Sequence, residues 1–212
     1  MFSWCWIFEI VFLVLRVRYA LAFDVHRVSC EEFEQGARFD PYVAIDSMWK
    51  VFYFWSNNSE VYPIIFSLPA KQRIERFKVV IEALDPELAA TIEWHRATLI
   101  MEPRPGVMAI FMYQGSPGAF RVLIKTEQRK TVRPHPVPLL SFADVRIKMV
   151  DRLIGMMVCE DLSAYALARV DEMPQTEEEC EEAAALLGLP LEYGRSHLFL
   201  ANYTKHNMDK EL

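Results

Sequence analysis

The stretch RFDPYVAIDSMWKVFYFW, residues 38–55, decides the predicted fold. Its second half, Met48–Trp55, is aromatic and β-branched, and such runs are typical of β-strands. Similar runs follow along the chain, and turns rich in glycine and proline separate them. The predicted strands after the first are Val61–Leu68, Thr98–Met101, Val107–Tyr113, Phe120–Thr126, Val145–Val150, Leu153–Cys159 and Ala164–Val170. The sequence therefore predicts a mostly β protein.

Two segments follow a helical pattern instead. Thr176 is a good N-cap, and Glu179 three residues later completes a capping box. Gly188 suits the end of a helix and Pro190 prevents its continuation, so we expect a helix between Thr176 and Gly188. Residues 71–93 carry apolar side chains at helical spacing and are compatible with a helix or with a pair of irregular strands.

The composition excludes several classes of protein. With 212 residues, of which 52% are hydrophobic, the chain is long enough to bury a core and too apolar to be disordered throughout. Its 29 acidic and 23 basic side chains give a net charge of −6, and a negative surface repels phosphate backbones. We therefore expect no nucleic-acid partner. The 7 glycines also leave little material for glycine-rich phosphate-binding loops.

The first 22 residues have features of a signal peptide. A nearly unbroken apolar run ends before Arg16, and Ala20-Leu21-Ala22 offers a cleavage site of small residues. The run is shorter than the roughly 20 apolar residues of a spanning helix, so we expect no stable membrane span. Cleavage after Ala22 would give an extracellular protein with a single domain, residues 23–212. A buried helix or a misplaced start codon would also account for the segment.

Glycosylation motifs and cysteines also favour secretion. Asn57 and Asn202 each begin a sequon for N-glycosylation. Cleavage of the signal peptide would leave three cysteines, enough for one disulfide and one free thiol. They are Cys30, Cys159 and Cys180. The alternative is a cytosolic chain in which all cysteines are reduced.

The sequence contains no recognisable catalytic, metal or cofactor motif. It has no phosphate-binding loop, no Gly-x-Ser-x-Gly elbow and no Cys-x-x-Cys pair, and its 5 histidines are dispersed. The carboxylates of residues 177–182 suit the solvated start of a helix. Cys159 precedes Glu160 and Asp161, whose negative charge disfavours a thiolate. We therefore expect a binding protein without a cofactor rather than an enzyme.

Three stretches together resemble the lipocalin family, especially relatives of apolipoprotein D and the insect bilin-binding proteins. Residues 38–51 resemble the first lipocalin strand, and residues 153–170 resemble the closing hairpin. The helix expected after Thr176 stands where lipocalins pack a helix on the barrel. The resemblance implies an eight-stranded antiparallel up-and-down barrel with a C-terminal α-helix outside it. The departures are Ser47 in place of a family glycine, Glu160 and Leu162 in place of the threonine and tyrosine of the family's hairpin turn, the helical pattern of 71–93 and an insertion at 127–144.

The resemblance also implies structural roles for three side chains. In the family, an arginine from the last strand stacks on a tryptophan of the first strand at one end of the barrel. Trp49 and Arg169 occupy those positions, and a cation–π contact gives a physical reason for the pairing. Tyr165 stands at the tyrosine of the closing hairpin.

A disulfide is implied in the same way. Cys30 matches an early cysteine of the family, whose partner lies near the closing hairpin. Cys159 is the nearest match for that partner and Cys180 is the alternative. Three free thiols would also be compatible with the sequence.

The interior of such a barrel is either filled or open to one small ligand. Alternating strand positions predict a soft, apolar lining, which suits a hydrophobic ligand. The predicted lining residues are Phe52, Phe54, Phe66, Met101, Met108, Ile110, Met112, Leu123 and Met156. We expect a secreted carrier of a lipid, retinoid, sterol or pigment. The alternatives are a filled barrel that binds a protein partner through loops near Gly115 and residues 134–138, and a lipid-modifying enzyme with Cys159 as its candidate catalytic residue.

Overall fold

The computed structural model describes residues 28–55, 62–127, 138–189 and 192–199. The predicted signal peptide and both sequons, at Asn57 and Asn202, lie outside these ranges, as does most of the proline-rich loop at 134–138.

The described residues contain a closed antiparallel β-barrel. Its strands are β1 (Met48–Trp55), β2 (Ile64–Ser67), β3 (Ala97–Arg104), β4 (Val107–Tyr113), β5 (Ala119–Thr126), β6 (Leu139–Val150), β7 (Leu153–Val158) and β8 (Ala164–Arg169). Strands β2 to β8 pair in sequence order, and β1 pairs with both β8 and β2, so the eight strands form a closed ring. A ninth strand, β9 (Arg195–Ser196), pairs with the end of β1. The predicted fold class is confirmed.

Several helices lie at one end and on the outside of the barrel. They include α1 (Cys30–Glu34), α2 (Pro41–Ala44), α3 (Lys71–Leu84), α4 (Pro86–Thr91) and α5 (Glu177–Leu186). The capping box predicted for α5 is present, since the Thr176 hydroxyl accepts the Glu179 backbone N–H at 3.1 Å and the Glu179 carboxylate accepts the Thr176 N–H at 3.3 Å. Helix α5 packs on the outer wall, as predicted.

Residues 71–91 form a pair of helices rather than strands. Ile74, Phe77 and Ile81 recur at helical spacing in α3 and are buried against the barrel. Asp85 separates the two helices, and its carboxylate caps α4 by accepting a backbone N–H of the first turn at 2.9 Å. The pair covers the outer side of β3, β4 and β5.

One boundary expectation is wrong. An insertion is predicted at 127–144, but residues 139–144 belong to β6 and are therefore not part of it. The first residues of this strand are partly or fully exposed except for Ala143, and Ser141 and Asp144 interrupt their apolar pattern. The hydrophobic signal of a strand is weak where both of its faces contact water.

The N-terminal segment, residues 28–47, connects the outer wall with one end of the barrel. Helix α1 packs against β6 and β7, and the Phe39 ring then makes an edge contact with Phe120, with 5.8 Å between ring centroids. Gly118 lies beneath this segment, where a Cβ atom would lie 3.3 Å from the Ala37 Cβ atom and only 2.1 Å from the Ile147 carbonyl oxygen of β6. Gly118 also has a φ of +79°, which favours glycine.

Candidate functional site

The side chains of the barrel strands form one interior cluster and two exterior clusters. The interior cluster has buried members on all eight barrel strands. On one side of the barrel, which we call the disulfide face, the outer side chains pack against α1 and α5. On another side, the helical-pair face, they pack against α3 and α4. A candidate ligand site must lie inside the barrel or on one of these faces.

One end of the interior is closed by aromatic packing. Trp49 is fully buried, and its indole N–H donates to the Ala44 carbonyl oxygen at 2.7 Å. The Arg169 guanidinium carbon lies 5.7 Å from the centre of the indole ring. Trp49 and Arg169 also pair in register between β1 and β8. The contact that the resemblance implied between these residues is therefore present in the structure.

Four of the predicted lining residues face the interior. They are Phe54, Phe66, Met101 and Met156. Phe54 and Met156 both lie opposite Tyr165 in register, so the three side chains occupy one row across β1, β8 and β7. Tyr165 packs against the interior cluster as well. This row forms an aromatic and thioether-rich section of the inner wall.

The other five predicted lining residues are on the outside, and their assignment was wrong. They are Phe52 on the disulfide face and Met108, Ile110, Met112 and Leu123 on the helical-pair face. In β4 the interior positions belong to Ala109 and Phe111 instead. Both faces of β4 are apolar because the helical pair covers its outer side, so hydrophobicity alone did not identify the inner face.

The wrong assignment of Phe52 to the barrel lining has a separate cause. The register between β1 and β8 shifts between Val51 and Tyr53, which marks a β-bulge. An extra residue in one strand changes which side the following side chains occupy. Phe52 and Phe54 are therefore on opposite sides although they are two positions apart.

Side chains fill much of the barrel interior. Eight side chains of the interior cluster are no more than 1% exposed: Ala44, Trp49, Leu99, Phe111, Val122, Ile147, Ile154 and Leu167. Met101 and Met156 retain slightly more exposure, at 7% and 8%. Tyr165 and Val158, near the opposite end from Trp49, are only partly buried. An internal ligand would therefore have to displace side chains near that opposite end.

A disulfide and a cation–π contact hold the disulfide face together. Cys30 and Cys159 form the disulfide, which is the pairing that the resemblance implied. The Lys148 ammonium nitrogen lies 4.2 Å from the centre of the Phe33 ring. Burial lowers the pKa of Lys148 from its ordinary value. These contacts attach the N-terminal segment to the barrel wall.

The two cysteines near α5 and the closing hairpin are poorly suited to nucleophilic chemistry. The sulfur of Cys159 is held in the disulfide. Cys180 is a buried free thiol, and burial together with Glu177 raises its pKa to about 11. The thiolate is the reactive form of cysteine, so a raised pKa suppresses reactivity. Cys159, the candidate catalytic residue of the enzyme alternative, is therefore not available as a nucleophile while the disulfide is intact.

Two cavities open on the helical-pair face, and neither is inside the barrel. The larger has a volume of about 430 Å³ and lies beside the turn between β3 and β4. Its apolar wall consists of Tyr62, Pro63, Ile65, Pro105, Val107 and Met108. The smaller, of about 170 Å³, lies between α4 and the outer side of β4 to β6. We call the larger cavity the outer cleft.

Comparisons with models of protein families and with curated proteins find no match for the chain. Within the described ranges, no helix is long and apolar enough to cross a membrane. In the same ranges, no group of three or more His, Cys, Asp or Glu side chains is placed to hold a metal ion.

Proposed function

We propose that the protein is a secreted, lipocalin-like carrier that binds a small hydrophobic ligand in the barrel. The observation that carries the proposal is the asymmetry of the interior. One end is closed by Trp49 and the N-terminal segment, while Tyr165 and Met156 lie in the row of Phe54, toward the other end of β1. In such a barrel an apolar ligand would enter from the end opposite Trp49, because the end at Trp49 is closed.

The residues toward the open end are suited to make room for a ligand. Methionine side chains have several rotatable bonds and adapt to irregular apolar shapes. Met156 retains 8% of its area exposed, whereas Trp49 and the Ala44 residue that it contacts are fully buried. Tyr165 supplies an amphipathic ring in the same row, and a polar group in an apolar pocket can orient a ligand.

Secretion is part of the proposal. Disulfides persist in oxidising compartments, and the Cys30–Cys159 bond fits such a compartment. The apolar run and the Ala20-Leu21-Ala22 site fit a cleaved signal peptide. Expression in a eukaryotic secretory host and N-terminal sequencing should show Phe23 as the first residue. A cytosolic product that retains Met1 would contradict this part of the proposal.

Ligand binding can be tested with an uncharged fluorescent probe, N-phenyl-1-naphthylamine. In Met156→Phe a stiff ring replaces an adaptable side chain on the inner wall, so the barrel site should lose the probe. Met157→Phe is the matched control, because Met157 is the next residue of β7 and packs on the disulfide face. Both changes carry a similar overpacking cost of about 1–3 kcal/mol. Equal probe binding by the two variants would contradict a site in the barrel.

The filled interior favours a second candidate, a protein that binds a partner through its exterior. Trp49 and Ala44, both at 0% exposure, leave no space for a ligand at that end. Native mass spectrometry of the secreted protein distinguishes the two functions. A co-purifying small molecule supports the carrier. A ligand-free protein whose probe binding is unaffected by Met156→Phe supports the partner-binding function.

A further inference from the structure

The outer cleft is a concave, largely apolar site that the barrel interior does not reach. Ile65 lies on the outer side of β2 and is 51% exposed. Tyr62 and Met108 stand beside it in the wall of the cleft, which has a volume of about 430 Å³. When an apolar ligand displaces water from such a concave surface, the burial of apolar area lowers the free energy of the complex.

The inner end of the cleft is held in place by contacts with α3. Arg73 forms an ion pair with Glu102, and its guanidinium lies 3.3 Å from the Ser67 hydroxyl oxygen and 3.8 Å from the Met108 sulfur. Pro63 and Pro105 stiffen the backbone on either side of the opening. A cleft with fixed walls loses little conformational entropy on binding.

The charges around the cleft indicate which ligands it favours. Glu102 is paired with Arg73, and Glu127 is paired with Lys125 at 3.0 Å. Both carboxylates of the cleft, Glu102 and Glu127, are thus already engaged by cations. A charged ligand would have to lose its hydration and compete with these existing ion pairs.

We propose that the outer cleft is a second binding site, for a small, uncharged and mainly apolar molecule. Its volume lies toward the lower end of the roughly 300–1,000 Å³ range of ligand pockets. The apolar wall would contact the body of the ligand, and the paired charges at the rim could accept or donate one hydrogen bond. The site is separate from the barrel interior because Ile65 and Met108 face outward.

The structure offers a matched pair of substitutions for a test. Ile65 and Met48 lie opposite each other in register on β2 and β1, and they are 51% and 49% exposed. Ile65 lines the cleft, whereas Met48 is not among the residues around it. Ile65→Asn and Met48→Asn therefore make similar changes at neighbouring exposed positions. Neither adds a charge that would disturb the Arg73–Glu102 pair.

The measurement is a titration of each purified full-length variant with N-phenyl-1-naphthylamine, with circular dichroism to verify folding. To report on the cleft alone, the titration is made in the Met156→Phe background, in which the barrel site is blocked. Ile65→Asn should weaken the remaining binding about fivefold, as expected when about half of an isoleucine side chain no longer contributes apolar contact. Met48→Asn should leave the affinity for the probe within about twofold of that of the Met156→Phe protein.

A second variant tests the same site by filling it. Ile65→Trp places a large ring in the outward-facing wall of the cleft and should abolish probe binding in the same background. An anionic naphthalene sulfonate should bind this site more weakly than the uncharged probe. The proposal is overturned if the Met156→Phe protein binds no probe, or if Ile65→Asn and Met48→Asn behave alike. Only the part of the wild-type binding that Met156→Phe removes, when other binding remains, reports on the barrel site.

Discussion

The disulfide face and the helical-pair face cover the same barrel in different ways. On the disulfide face, β8 presents Ala164, Ala166 and Ala168 outward, and these small side chains belong to one buried cluster with Ala184 of α5, a helix that itself approaches β1. On the helical-pair face the strands present bulkier residues such as Met112. Both cavities described above open on the helical-pair face.

This difference indicates a division of roles. Small side chains allow a helix and a sheet to approach closely, and dense packing leaves few voids. The disulfide face is in addition covalently closed by Cys30 and Cys159. Bulky side chains beneath the helical pair leave gaps at the edges of the contact. We therefore expect the disulfide face to contribute stability and the helical-pair face to contribute binding.

The largest expected effect is that of removing the disulfide. The two cysteines are 129 residues apart, and closing so long a loop contributes about 4–5 kcal/mol on the chain-entropy model. Cys30→Ser with Cys159→Ser should lower the melting temperature by about 10 °C or more. A reductant should shift the wild type by the same amount and the double variant not at all. Equal melting temperatures of the wild type and the double variant under oxidising conditions would show that the disulfide adds nothing to stability.

The next largest effect distinguishes the two faces by local opening. Phe77→Ala on the helical-pair face and Phe33→Ala on the disulfide face each remove a buried ring, at a cost of about 3 kcal/mol. Hydrogen exchange should accelerate across residues 71–91 in Phe77→Ala. Exchange in residues 28–36 should rise less in Phe33→Ala, because the disulfide keeps α1 attached. Equal acceleration in both segments would contradict the difference between the faces.

The sequence predicted the barrel better than it predicted which side chains line it. In β8, small and large residues alternate, and this pattern alone separates the inward row of Tyr165, Leu167 and Arg169 from the outward alanines. In β4 and β5, both faces are apolar, so the inner row became clear only from the position of α3. The bulge after Val51 had no signal in the sequence, since Phe, Tyr and Trp are equally suited to either side.

A third prediction concerns the closed end of the barrel, which should affect stability without affecting binding. Arg169→Ala removes the guanidinium stacked on Trp49 and should cost about 1 kcal/mol or more. Probe binding should stay within about twofold of the wild type. Arg152→Ala is the control, because Arg152 pairs with Glu172 on an exposed turn and should matter less. Loss of probe binding in Arg169→Ala would place the ligand deeper than we propose.

The smallest predicted effect is a pH-dependent contribution from Glu34 on the disulfide face. The Ser116 hydrogen bond, followed by the Arg146 guanidinium at 2.6 Å, lowers the pKa of Glu34 from its ordinary value of 4.5. A carboxyl group with a lowered folded-state pKa stabilises the fold above pH 4.5, and this contribution is lost as the pH falls through the folded-state pKa.

Glu34→Gln should therefore lower the free energy of unfolding by about 0.5–1 kcal/mol at neutral pH, as measured by urea unfolding. The difference from the wild type should shrink as the pH is lowered below 4.5. Glu31→Gln removes the same charge from an exposed position of α1 and should show a smaller difference. A Glu34→Gln deficit that stays constant into the acid range would mean that packing, rather than the ionised pair with Arg146, accounts for its effect.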